Sequence, residues 1–126
     1  MVNGEKMKII VAGGRDFNNI QVACQCIDKH VSKNDTIISG HARGADIIGE
    51  LYASRNSIDL EIYPADWDTY GKRAGYIRNA KMADVADKLI AFWDKKSHGT
   101  KNMIEQAIKK KLDVIVYDYN GNLIDI

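Results

Sequence analysis

Lys8-Ile9-Ile10-Val11-Ala12 runs directly into Gly13-Gly14-Arg15-Asp16-Phe17, and this coupling of an apolar run to a glycine-containing polar turn recurs twice. Thr36-Ile37-Ile38 leads into Ser39-Gly40-His41-Ala42-Arg43-Gly44-Ala45-Asp46. Leu89-Ile90-Ala91-Phe92-Trp93 leads into Asp94 and then Ser97-His98-Gly99-Thr100-Lys101. A short uninterrupted apolar run reads as a strand buried on both faces, as in a parallel sheet. Ligands of such sheets bind beyond the carboxyl ends of the strands, where these turns would lie. Glycine lets the backbone approach an anion closely, and arginine supplies a fork of donors for phosphate or carboxylate. Three such turns at equivalent places predict one shared binding crevice.

Helical patterns alternate with the strands. After the first strand, Ile20, Ala23, Cys24, Ile27 and Val31 recur at helical spacing. The second strand, near Thr36 to Ser39, precedes a helix from about Ala45 to Arg55 that buries Ile48, Leu51 and Tyr52. Leu60 to Tyr63 is a short third strand, stopped by Pro64, which has no amide for a ladder. A third helix is expected over Lys72 to Val85, a fourth strand over Lys88 to Phe92, and a fourth helix from about Thr100 to Lys111. The lysines at 109–111 complement the negative end of that helix. Asp113 to Tyr117 is the fifth strand, and Asn120-Gly121 before Leu123-Ile124 signals a hairpin. Short loops between strand-helix units imply an α/β fold: a Rossmann-like three-layer sandwich with a mostly parallel five-stranded sheet in the order 3-2-1-4-5, plus a C-terminal antiparallel edge strand. That order sets the Gly13 and Gly99 turns across a switch point between strands one and four.

The chain of 126 residues suits one domain spanning 1–126, with ordinary hydrophobic content and a net charge of +1. That balance lacks the basic field of a non-specific nucleic-acid binder and argues against nucleic acid as a partner. No apolar stretch approaches the ~20 residues of a membrane helix, and Met1 to Lys6 lack the core of a signal peptide. A cytoplasmic location without membrane association is expected. Cys24 and Cys26, two apart on a helix, point to different faces, which disfavours a disulfide; Cys24 reads as a small buried hydrophobe.

The turns do not spell a known phosphate motif. Gly13-Gly14-Arg15-Asp16 lacks the later glycines of a dinucleotide fingerprint and the Gly-Lys-Ser/Thr of a P-loop. It is either a tight turn with Arg15 paired to a carboxylate such as Asp16, or a cradle in which Arg15 holds an anion. Ser39, Gly40, Arg43 and Asp46 enter the second helix. Its first amides favour an anion, unless Asp46 caps the helix and Gly44 and Ala45 serve close packing. Asp66, Trp67, Arg73 and Arg78 follow the third strand. Trp67 would stack on a base or form a core lid, Asp66 would accept from hydroxyls, and Arg73 and Arg78 would contact the anion. Ser97, Gly99 and Thr100 offer amides and hydroxyls at the last helix, and His98 is an acid-base candidate or a surface residue. Asp16, Asp66 and Asp94 all end strands, yet nothing in their spacing dictates octahedral ligation, so no metal and no cofactor are expected.

Taken together, residues 12–17, Ser39-Gly40 through Asp46, Tyr63 to Trp67, Ala74-Gly75 with Arg78-Asn79, and Ala91 to Asp94 with Ser97 and Gly99 to Lys101 resemble the YspA-type, YpsA-related branch of the SLOG superfamily. The resemblance spans about residues 8–117 and takes in the Smf/DprA and Lonely Guy groups for which the superfamily is called. It implies a Rossmann-like fold, binding of nucleotides or nucleotide-derived signals, and a homodimer. Two positions depart from the pattern: His41 stands in place of glycine and Tyr76 in place of proline. The Lonely Guy enzymes, which release a base from a nucleoside monophosphate, carry a glutamate where this chain has Met103. That apolar residue argues against simple transfer of their chemistry.

Three functions follow as expectations. The first is a binding or sensing module for a nucleotide-like phosphorylated small molecule, held by Gly13, Gly14, Arg15, Asp16, Arg43, Arg73, Arg78 and the Ser97 to Thr100 turn. The second is an enzyme cleaving or transferring at an N-glycosidic bond, with Asp16, Asp66 or Asp94 stabilising the sugar cation and His98 protonating the base. The third is a non-catalytic interaction module that self-associates.

Overall fold

The five apolar runs form a single parallel sheet in the order β3-β2-β1-β4-β5. Its strands are β1 (Lys8–Gly13), β2 (Thr36–Ser39), β3 (Asp59–Ile62), β4 (Lys88–Phe92) and β5 (Asp113–Tyr117). The computed structural model describes residues 6–126; residues 1–5, on which the expectation about a leader rests, lie outside them. β1 occupies the centre, with Ile9 beside Ile37 of β2 and Ile10 beside Leu89 of β4. The continuous apolar character of β1 follows from this position, because helices cover both faces.

Side-chain alternation divides the core into two layers. Ile9 and Val11 face α1 (Ile20–Asp28) and α2 (Ala45–Arg55), packing with Ala23, Ile27, Ile48 and Tyr52. Ile10 and Ala12 face α4 (Ala74–Val85) and α5 (His98–Lys109), packing with Met82, Met103, Ile104 and Ala107. The Rossmann-like sandwich and the strand order are those the sequence predicts. Among the described residues, no helix is long and apolar enough to cross a membrane.

Several local expectations change. The stripe of α1 is Ala23, Cys26 and Ile27, so Cys26 is buried while Cys24 is only half-buried and Ile20 is exposed. A spacing of three and four residues keeps Cys26 on the sheet-facing side. Leu51 is half-buried. The helix expected from Lys72 is preceded by α3 (Trp67–Tyr70) and a 3-10 turn at Gly71–Arg73, separated where Gly71 adopts a φ of +59°. β3 is a sheet edge, which leaves Leu60 and Ile62 exposed. The C-terminal edge strand shrinks to one antiparallel bridge, Tyr117 to Leu123, flanked by Asp118 N to Asn122 O and Ile124 N to Val116 O (both 2.8 Å). The Asp118 carboxylate accepts the amides of Asn120 and Asn122 (both 2.9 Å), so the turn is closed by a side chain and the ladder ends early.

At the carboxyl end of the sheet, the β1 turn presses against the start of α2. The Ala45 amide donates to Gly14 O (3.3 Å), and Gly44 sits at a φ of +78°. A Cβ on Gly44 would collide with Gly14 O and stand 2.8 Å from Arg15 Cα. Gly44→Ala should therefore lower stability in urea unfolding by ~2 kcal/mol or more, through both clash and backbone strain. Gly99→Ala is the control: nothing lies within 4 Å of the added Cβ, and alanine favours a helix, so stability should hold or rise. Equal effects from the two substitutions would refute this account.

Candidate functional site

The turns after β1, β2, β3 and β4 enclose two joined chambers at the carboxyl ends of the strands. The larger, about 490 Å³, lies between the Gly13 to Asp16 turn, α4 and the Asp94 to Thr100 segment, over Met82 and Met103. The smaller, about 350 Å³, lies between the Gly40 to Arg43 turn and Pro64-Ala65. Arg15, Ala42, Trp67 and Arg78 line both and form the waist.

Arg78 is the anchored cation of this waist. Its Nη1 donates to Gly40 O and to Tyr63 O (3.5 Å), while Nε donates to Asn79 Oδ1 (3.0 Å). Buried Asn79 continues across the crevice, donating to Gly99 O (3.3 Å) and Asn102 Oδ1 (3.1 Å). Arg78 and Asn79 thus tie the β2 turn to α5. Burial lowers the pKa of Arg78, with Asp46 opposing it; a guanidinium stays charged at neutral pH.

The carboxylates at the crevice are engaged by neighbours. Asp16 accepts from the Tyr119 hydroxyl (2.6 Å), and not from Arg15. Burial, then the bond to Asp16, raises the Tyr119 pKa. Tyr119 is braced by Phe17, which stacks on Phe92 with ring centroids 4.7 Å apart. Asp94 accepts the amides of Lys96 and Ser97 (both 2.8 Å). Burial works to raise its pKa, but those amides prevail and hold it below the usual carboxylate range. Asp46, 5% exposed at the start of α2, accepts the Ala42 amide (3.3 Å). Burial pushes its carboxyl up to about 6, against the pull of that amide and of Arg78 and Arg15.

Placement separates the predicted residues. Gly13, Gly14, Arg15, Asp16, Asp46, Trp67, Arg78, Asp94, Ser97, Gly99 and Thr100 line the larger chamber. Gly40 and Arg43 line the smaller. Ser39 is fully buried and structural: its hydroxyl donates to Glu50 Oε2 (2.8 Å) and accepts the His41 amide (3.0 Å). Arg73 is exposed at the end of the 3-10 turn and lines neither chamber, where Lys72 stands instead. At the α2 N-terminus the Ala45 amide donates to Gly14 O (3.3 Å) and buried Asp46 stands in the first turn, in keeping with close packing there. Asp66 caps α3 through Thr69 N (3.1 Å) and borders a separate small cleft with Tyr70. His98 is exposed and lines neither chamber. Of the candidates for glycosidic chemistry, Asp16 and Asp94 line the larger chamber, while Asp66 and His98 line neither chamber.

Sequence reasoning did not pick out Lys72, Lys96 or Tyr119, and it noted Tyr76 only as a departure from the family pattern. Lys96 follows a strand-end aspartate, which was a usable signal. Tyr119 lies 103 residues from Asp16, so nothing local announces the pair. His41, in place of the family's glycine, adopts a φ of +61° and is held by Glu50 Oε2 at 2.8 Å from Nδ1.

Comparison with known proteins now adds to the geometry. Residues 7–70 match the family described as YspA, cpYpsA-related SLOG. The Gene 61 protein of Mycobacterium phage D29 is 27% identical over 117 residues, which is 86% of this chain and 94% of the phage protein. DNA processing protein A (DprA) from Streptococcus pneumoniae superposes with a TM-score of 0.74 at 18% identity, over 90% of this chain and 51% of that one. DNA processing protein A from Helicobacter pylori superposes with a TM-score of 0.58 at 18% identity, over 88% of this chain and 65% of that one. This chain therefore spans about half to two-thirds of these structural neighbours. The Helicobacter pylori protein is described by its single-stranded DNA binding mode, which overturns the argument against nucleic acid as a partner. Net charge sums the whole surface, whereas binding draws on a local cluster, and here cations gather at one crevice despite a total of +1.

Asp46 supplies a pH test of the crevice floor. Folding favours its protonated form, so its contribution to stability is complete below the ordinary value of 3.8 and is lost as pH rises through about 6. Asp46→Asn cannot ionise; it should match wild type near pH 4 and exceed it near pH 7.5 by on the order of 2–3 kcal/mol. Urea unfolding at both pH values measures this. A difference that does not change with pH would contradict the buried-carboxylate assignment.

Proposed function

The chain belongs to the YspA, cpYpsA-related SLOG family, and from that premise we propose that its crevice binds a nucleotide-type phosphorylated ligand. The phosphate lies in the smaller chamber against Arg15, Arg43 and Arg78, and the nucleoside part occupies the larger. One observation carries this reading. Arg15, Arg43, Lys72, Arg78 and Lys96 face the two chambers, and among the described residues none has a carboxylate partner within 4.0 Å. Cations gathered without ion pairs repel one another, and a bound anion relieves that repulsion while gaining charge-assisted hydrogen bonds.

Trp67, 49% exposed, and Tyr76, 47% exposed, stand at the larger chamber and offer aromatic surface for a base. Asp94, ionised and fixed by two amides, is an acceptor for ribose hydroxyls or an exocyclic amine. The same pairing of exposed aromatics with cations suits a nucleotide unit within a single strand, the chemistry described for the Helicobacter pylori protein. A thermal-shift panel of free nucleotides and short single-stranded oligonucleotides separates the two sources.

Arg15 and Arg43 provide the sharper test. Each single substitution to alanine should weaken binding of the panel's best ligand, and the double variant should lose less than the sum, with a coupling of ~0.5–3 kcal/mol. Melting temperatures without ligand should barely move, since neither arginine holds a native carboxylate. Marked destabilisation with unchanged affinity, or a panel that shifts nothing, would defeat the assignment.

A further inference from the structure

Resting on this reading of the crevice, we infer that the ligand carries two linked phosphates, as in a nucleoside diphosphate group, and not a single phosphate. The two chambers differ in their charges. The larger sets Asp16, Asp46 and Asp94 among its cations, whereas the smaller has Arg15, Arg43 and Arg78 and no carboxylate among its lining residues, its His41 being already paired with Glu50 (2.8 Å). A second phosphate is therefore repelled from the larger chamber and accommodated in the smaller.

Charge and volume agree on the number. A phosphate monoester carries about −1.5 to −2 at neutral pH, which leaves at least one of three guanidiniums uncompensated. A second phosphate in anhydride linkage brings the total close to the three positive charges. One phosphate occupies roughly the space of two or three waters, about 60–90 Å³, and the chamber of about 350 Å³ has room for more than one. The three arginines also arise from separate elements, the β1 turn, the β2 turn and α4, and all line the chamber. Arg78 is held in place by Gly40 O, Tyr63 O and Asn79 before any ligand arrives, which lowers the ordering cost of binding. Because Arg15, Trp67 and Arg78 belong to both chambers, a diphosphate at the waist joins continuously to a nucleoside in the larger.

Isothermal titration of the wild-type chain in EDTA tests this with defined probes. These are inorganic phosphate, pyrophosphate, the four ribonucleoside monophosphates, the matching diphosphates, and a single-stranded DNA octamer without terminal phosphates. The diphosphate of the preferred base should bind at least tenfold more tightly than its monophosphate, and pyrophosphate should exceed phosphate in the same sense. Ala65→Glu adds a carboxylate to the smaller chamber, where Ala65 contributes only lining. It should erase most of the diphosphate advantage while the monophosphate loses less. Equal affinity for the mono- and diphosphate series would overturn the diphosphate inference and leave the nucleotide reading standing. An octamer that outcompetes every diphosphate would overturn it in favour of a strand. Binding of no nucleotide in either series would overturn the nucleotide reading itself. The wild-type series decides the question even if Ala65→Glu fails to fold.

Discussion

The contact between the β1 turn and the first residues of α2 constrains everything at the carboxyl edge of the sheet. Gly14 O accepts the Ala45 amide, and Gly44 has no side chain to keep the two backbones apart. Gly13 is pinned on its other side, where a Cβ would meet Phe92 O and stand 2.8 Å from Ala45 Cβ. β1, β4 and α2 therefore meet in one small volume, and the turns they emit cannot move independently. The closeness also spends the helix start on internal packing, with Asp46 filling its first turn.

From that constraint the charge pattern of the crevice follows. Three carboxylates remain beside the larger chamber, each held by a neighbour: Asp16 by Tyr119, Asp94 by two amides, Asp46 by Ala42. The cations have no such partners among the described residues. A carboxylate satisfied by amides or a hydroxyl does not collapse onto an arginine, so Arg15 and Arg43 stay out of ion pairs while Arg78 spends Nη1 and Nε on Gly40 O, Tyr63 O and Asn79. Arg78 and Asn79 add rigidity by running from Gly40 O to Gly99 O across the crevice. The resulting crevice is divided into a mixed-charge chamber over an apolar floor and a cationic one.

The larger chamber also shows what stands where the Lonely Guy enzymes carry their glutamate. Met103, which replaces their glutamate, does point to the crevice, where with Met82 it forms an apolar floor. His98 and Asp66, the other candidates for proton and charge work, are directed elsewhere by their roles at the starts of α5 and α3.

The amino-acid order by itself determined the sheet, because apolar runs covered on both faces and helical stripes between them leave few topologies open. It also located the turns that converge, and with them most of the residues lining the larger chamber. It missed the short α3 ahead of Gly71, and Asp118 closes the last turn before the expected edge strand can form. Only the tertiary structure separated Arg78, which is anchored in the crevice from within α4, from Arg73, which ends the 3-10 turn before it and lines neither chamber. It alone joined Tyr119 to Asp16 and paired Ser39 with Glu50. The reason is physical. Periodicity reports which face of an element is apolar, whereas the partner of a polar side chain depends on distances across the fold that no local pattern encodes.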